Sequence, residues 1–123
     1  MARLQAVVIG NSASMLNGAP VTTQIIDLLI RDTKLNRRKL VRFAKAIDGL
    51  AVRVDVHYDR ISGDLTFSSV RSRSELVDLG SEKLTVAALA DVVRSKEAAN
   101  RPKDRAVLPI LRDTLAVKVK LER

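Results

Sequence analysis

The sequence predicts an α+β fold, a small mixed β-sheet packed with helices, in one domain covering residues 1–123. Three observations predict it. Short apolar runs of strand length alternate with helix-period segments through the first half of the chain. The last third reads as helix, punctuated by Pro102. The length of 123 residues suffices for one hydrophobic core and for no second domain of ordinary size.

In chain order, Leu4 to Ile9 is an apolar run stopped by Gly10 and reads as a buried strand. Asn11 to Leu16 reads as a short helix, closed by Asn17 and Gly18. Ile25 to Ile30 is a second strand, apolar except for Asp27. From about Asn36 to Asp48, Leu40, Phe43, Ala44 and Ile47 recur at helical spacing, with Arg37, Arg38, Arg42 and Lys45 largely off that stripe and Gly49 as the stop. Ala51 to His57 alternates: Val52, Val54 and Val56 share one face, and Arg53, Asp55 and His57 the other. Ser62–Gly63–Asp64 is turn material before a brief strand at Leu65 to Phe67. Glu75 to Leu79 and Lys83 to Val86 form a hairpin around Gly80 and Ser81. Two helices follow, at about Ala88 to Ala99 and Pro102 to Leu115, with Pro109 expected to bend or interrupt the second.

Composition narrows the function classes. Lysine and arginine outnumber acids 22 to 14, a formal net charge of +8, which favours polyanionic partners. Aromatics are only 2%, so stacking platforms for a single strand are nearly absent and the core must be aliphatic. No cysteine is present, which excludes disulfides and cysteine-ligated zinc. No apolar run reaches membrane-span length, and no signal-peptide pattern opens the chain, so the expected location is cytoplasmic.

Asp27 is the residue that most demands an explanation. A carboxylate within an Ile/Leu strand needs a cation, a hydrogen-bond network or water, because unpaired burial costs several kcal/mol. Positions 25 and 27 share a strand face, and an acid at each would form a two-pronged magnesium clamp; here the other prong is Ile25. Asp55 is a further candidate ligand. The alternative is that Asp27 lies at an exposed strand end and Asp55 is simply solvated. Leu89, Val92, Val93 and Lys96 share one helical stripe, so Lys96 either snorkels to the rim or points at a phosphate. Arg101, Lys103 and Asp104 at the last helix junction read as capping and surface charge. His57 is assigned no role, and Arg71 and Arg73 no secure chemistry.

The runs VVIGNSA at 7–13 and GAPVTTQIIDLLIRDT at 18–33 resemble minimal bacterial nucleotidyltransferases of the DNA polymerase β superfamily. The run SKEAANRPKDRAVLP at 95–109 is similar to the ending of the same group. The likeness covers most of the chain but is weak between Asp48 and Asp64, where this sequence looks shortened. It implies that Gly10, Asn11 and Ser12 form the loop approaching a triphosphate, and that Asp27 and Asp55 are the catalytic, metal-binding acids. It further implies that Lys96, Arg101 and Lys103 bind phosphate. The cofactor it implies is Mg2+, with a nucleoside triphosphate as substrate or ligand and an RNA or protein acceptor, in a toxin–antitoxin-like context. No membrane is expected, and a homodimer is the candidate assembly. The implied activity is transfer of a nucleoside monophosphate to a hydroxyl, impaired because Ile25 stands where an acid is expected. The competing expectation is a non-catalytic basic module that binds a nucleotide, RNA or a partner protein.

Overall fold

The structure is a computed structural model that describes residues 4–46, 53–78, 80 and 83–122. Strand β1 (Ala6–Ile9) leads into helix α1 (Gly10–Leu16), then β2 (Ile25–Ile30) and helix α2 (Lys34–Ala46). Strand β3 (Arg53–Tyr58) is followed by a two-stranded ribbon, β4 (Arg60–Ile61) and β5 (Leu65–Thr66). Helix α3 (Phe67–Arg73), strands β6 (Glu75–Asp78) and β7 (Lys83–Val86), and helices α4 (Leu89–Ala99) and α5 (Pro102–Leu121) complete the chain. The fold is α+β, as the alternation of element types predicts.

The main sheet has the order β3-β2-β1-β7-β6 and is mixed. Strand β1 pairs antiparallel with β2 and parallel with β7, while β2 pairs parallel with β3. The β6–β7 hairpin is antiparallel. Parallel neighbours need a crossover, and α2 supplies it between β2 and β3. The middle of the sheet carries the core: Val7, Leu29 and Ile30 are fully buried, Val86 of β7 is buried beside β1, and Leu65, Val70 and Leu111 complete the cluster. With only 2% aromatics, this core is aliphatic except for Phe67.

Three expectations are corrected. Phe67 does not continue a strand; it opens α3, because Thr66 caps that helix reciprocally with Ser69 at 3.0 and 3.1 Å. Of the bend or interruption expected at Pro109, the interruption does not occur, and α5 continues to Leu121. The carbonyl that Pro109 deprives of a partner belongs to exposed Arg105 and can bond water, while buried Leu108 and Leu111 hold the helix down on either side. Helix α2 starts at Lys34 rather than Asn36, because the Thr33 hydroxyl accepts from the Asn36 N–H at 3.1 Å and caps the helix; buried Asn36 then ties it to the residues flanking the sheet strands. Its side chain accepts from the Gln5 N–H and donates to the Gln5 and Arg31 carbonyls. The expected helix stop at Gly49, the stripe residue Ile47, the strand positions Ala51, Val52 and Leu79, and the turn residue Ser81 lie outside the described residues.

Candidate functional site

A cleft of about 660 Å3 opens at the β1–α1 joint. One wall is acidic and comes from the sheet. In-register pairing of β2 with β3 sets Asp27 beside Asp55, and the antiparallel partner of Asp27 on its other side is Ile9. Gly10 follows Ile9 with a φ of +63°, a left-handed conformation. A Cβ on Gly10 would lie 2.7 Å from Oδ2 of Asp27, so glycine here is what lets the chain turn against that carboxylate.

Asp27 is half-buried, which pushes its carboxyl above the ordinary value. The His57 imidazole, with Nε2 3.8 Å from Oδ1, opposes that rise, while the neighbouring Asp55 charge adds to it. Asp55 itself accepts a 3.0 Å hydrogen bond from Nε of Arg53, two residues back on the same strand face. Arg53 in turn is the register partner of Ile25, which also lines the cleft.

The opposite wall is cationic and comes from α4 and the α4–α5 junction. Lys96, Arg101 and Lys103 all line the cleft. Lys96 is buried on the α4 stripe with Leu89, Val92 and Val93. Burial lowers its pKa, and the Asp104 carboxylate 3.5 Å away works against that. Asp104 is fully buried. It accepts from the Arg101 backbone N–H at 3.1 Å and from the Arg101 guanidinium at 2.7 and 3.2 Å. Burial alone would raise the Asp104 pKa, but these bonds and the charges of Arg101 and Lys96 hold it below the usual carboxylate range.

The structure therefore brings Gly10, Asn11, Asp27, Asp55, Lys96, Arg101 and Lys103 into one cleft. Ser12 is the exception. It is buried away from the cleft, its hydroxyl donating to the Ile9 carbonyl at 2.8 Å and accepting from the Asp27 N–H at 3.2 Å. Ser12 braces the strand that carries Asp27 and is not placed to touch a ligand in the cleft. Sequence reasoning missed Asp104 as the organiser of the cationic wall; the spacing of Arg101 and Asp104, i and i+3 at a helix start, was the available signal. It also missed the Arg53–Asp55 pair, which strand alternation alone places on one face.

Asp27 and Asp55 are the cleft side chains that could hold a divalent cation. Among the described residues no group of three or more His, Cys, Asp or Glu side chains is placed to hold a metal by itself. Two adjacent carboxylates are the number that magnesium uses when phosphate and water fill its other positions. Asn11 adds a buried Oδ1 without a hydrogen-bond partner at the cleft, a polar atom awaiting a donor. Among the described residues no helix is long and apolar enough to cross a membrane. No protein-family model matches the chain, and no curated protein matches it either.

Proposed function

We propose that this chain is a nucleotidyltransferase-fold protein whose cleft binds a nucleoside triphosphate with Mg2+, with transfer to a hydroxyl acceptor impaired by Ile25. The observation that carries the reading is the two-walled cleft: Asp27 and Asp55 in register on one side, with Lys96, Arg101 and Lys103 on the other. Such a pairing of carboxylates with cations is what a polyphosphate–metal complex requires, since the metal bridges acids to phosphate and the cations neutralise the remaining oxygens. Asp27 and Asp55 would hold the ion, which when bound supplies charge neutralisation at the phosphates. Gly10 and Asn11 bring the β1–α1 joint close to the ligand.

A non-catalytic nucleotide-binding module is the second reading. Its support is that one expected carboxylate is Ile25 and that Arg53 already engages Asp55. One titration addresses the binding common to both. Calorimetry with each of the four ribonucleoside triphosphates should show binding that needs magnesium and weakens at least tenfold in Asp27→Asn. Absence of binding, or binding indifferent to magnesium and to Asp27, would remove the cleft reading. Transfer of a labelled nucleotide to cellular RNA or protein then separates the two.

A further inference from the structure

Helix α2 holds most of the excess charge of the whole chain. Its thirteen residues, KLNRRKLVRFAKA, include six Lys or Arg and no acid. Outside α2 there remain sixteen basic residues against fourteen acids, so the rest of the protein is nearly neutral at +2, although the whole carries +8.

The cations of α2 are not distributed evenly. Arg37 is turned to Asp32 and lies over the Tyr58 ring. Lys34, Arg38, Arg42 and Lys45 instead follow one another at steps of four, four and three residues, which keeps them on one helix face. All four are exposed, and none of them is in a salt bridge among the described residues. At 1.5 Å per residue the stripe is about 16 Å long, with a cation at each turn. The opposite face is occupied: Leu40 and Phe43 pack on the core, and Asn36 anchors the helix to β1.

We infer that this stripe is a docking surface for the phosphate backbone of RNA. A row of unpaired cations, one per turn and free of acids, is complementary to a regularly charged strand. A membrane surface is a poorer fit, because the apolar face that would have to enter the bilayer is buried against the sheet. The stripe has no aromatic side chain for stacking unpaired bases, and the deep, narrow major groove of an A-form helix keeps Arg38 and Arg42 from base edges, so contact is with the backbone of a folded, base-paired RNA. The choice of RNA over DNA rests on the function proposed above, whose candidate acceptors are RNA and protein, and the DNA arm of the test below decides it. As the crossover between parallel strands, α2 runs back along the sheet, which directs its Lys45 end toward the strand starts, the side where Ile25 of the cleft pairs with Arg53.

The test is fluorescence anisotropy with a labelled RNA hairpin, a DNA duplex of the same sequence, and polyglutamate as competitor, over a salt series. Two doubly substituted proteins lose equal charge: Arg38→Gln with Arg42→Gln on the stripe, and Lys83→Gln with Lys120→Gln elsewhere on the surface. The expected result is a loss of roughly tenfold or more in hairpin affinity, with a flatter salt dependence, for the stripe pair only. Replacing all four stripe cations should flatten the log–log salt slope by about 3 units. Triphosphate binding should be unchanged in the stripe variants, so failure of the cleft reading and failure of this one appear in different titrations. Equal losses in the two pairs would overturn the proposal, and so would DNA or polyglutamate binding as tightly as the hairpin.

Discussion

Gly10→Ala tests the geometry of the acidic wall most directly. The backbone at Gly10 has a φ of +63°, and forcing an L side chain into that conformation costs about 1–2 kcal/mol. The added methyl would also meet Asp27, 2.7 Å from Oδ2 and 3.2 Å from Cγ, so the carboxylate must rotate or the strand must shift. Together these effects should destabilise the protein by about 2 kcal/mol, lowering Tm by roughly 6–10 °C for a chain of this length. Gly18→Ala provides the control, since Gly18 has a φ of +94° but nothing within 4 Å of its would-be Cβ. It should show a backbone cost without any effect at the cleft. In an Asp27→Ala background the Gly10→Ala penalty should shrink, because the crowded oxygen is gone, and the difference measures the coupling. Calorimetric melting gives the stabilities, and titration with Mg2+ and triphosphate gives the cleft. The reasoning fails if Gly10→Ala melts within 2 °C of the parent, or if its penalty is the same with and without the Asp27 carboxylate.

Two further perturbations probe the remaining charges. Asp104→Asn should destabilise by about 3 kcal/mol, since it leaves Lys96 buried without its counter-charge. Asp104 has a lowered pKa in the fold, so its contribution is complete above the unfolded carboxyl value near 3.8 and is lost as pH falls through the folded one. Denaturation as a function of pH should therefore show a steeper acid limb in the parent than in the Asn variant; parallel limbs would count against the assignment. Ile25→Asp should strengthen magnesium and triphosphate binding by restoring an oxygen ligand on the strand face of Asp27, at a modest cost in stability. Equal or weaker binding by the folded variant would show that more than one position separates this cleft from a working clamp.

What was legible in the sequence was the part governed by local pattern. Ile25 to Ile30 declared itself by composition, and the alternation of Arg53, Asp55 and His57 placed them on one strand face before any coordinates. The Lys96 stripe was equally readable, since four residues at helical spacing admit little else. Helix α3 was not legible, because its seven residues bury only Phe67 and Val70, and the Thr66–Ser69 cap is a weak signal without the usual Glu or Gln. The in-register meeting of Asp27 and Asp55 required knowing that β2 and β3 pair in parallel, which depends on α2 returning the chain. The capping role of Asp104 at the start of α5 was legible, but its burial was not, because that depends on how α4 and α5 close together, and no local pattern encodes that.

Most of the charges in the cleft already have partners within the protein. Asp55 is engaged by Arg53 and Asp27 faces His57, while Lys96 and Arg101 share the buried carboxylate of Asp104. This internal pairing keeps half-buried ions from facing one another unscreened while no ligand is present. It also sets the terms on which an anion enters. Under the proposed function a phosphate at the cationic wall would compete with Asp104 for Arg101, whose side chain is about half exposed. Lys96, largely buried and 3.5 Å from Asp104, can share its three donors between carboxylate and phosphate without moving far. Lys103 has no carboxylate partner among the described residues, so it can meet the incoming charge without first breaking an ion pair. Under the same proposal a metal ion would compete with Arg53 for Asp55, and the exposed Arg53 side chain would give way at little cost, since a surface pair contributes about 1 kcal/mol or less. The cleft is thus balanced internally, with fully buried Asp104, bonded to Arg101 and 3.5 Å from Lys96, at the centre of its cationic wall.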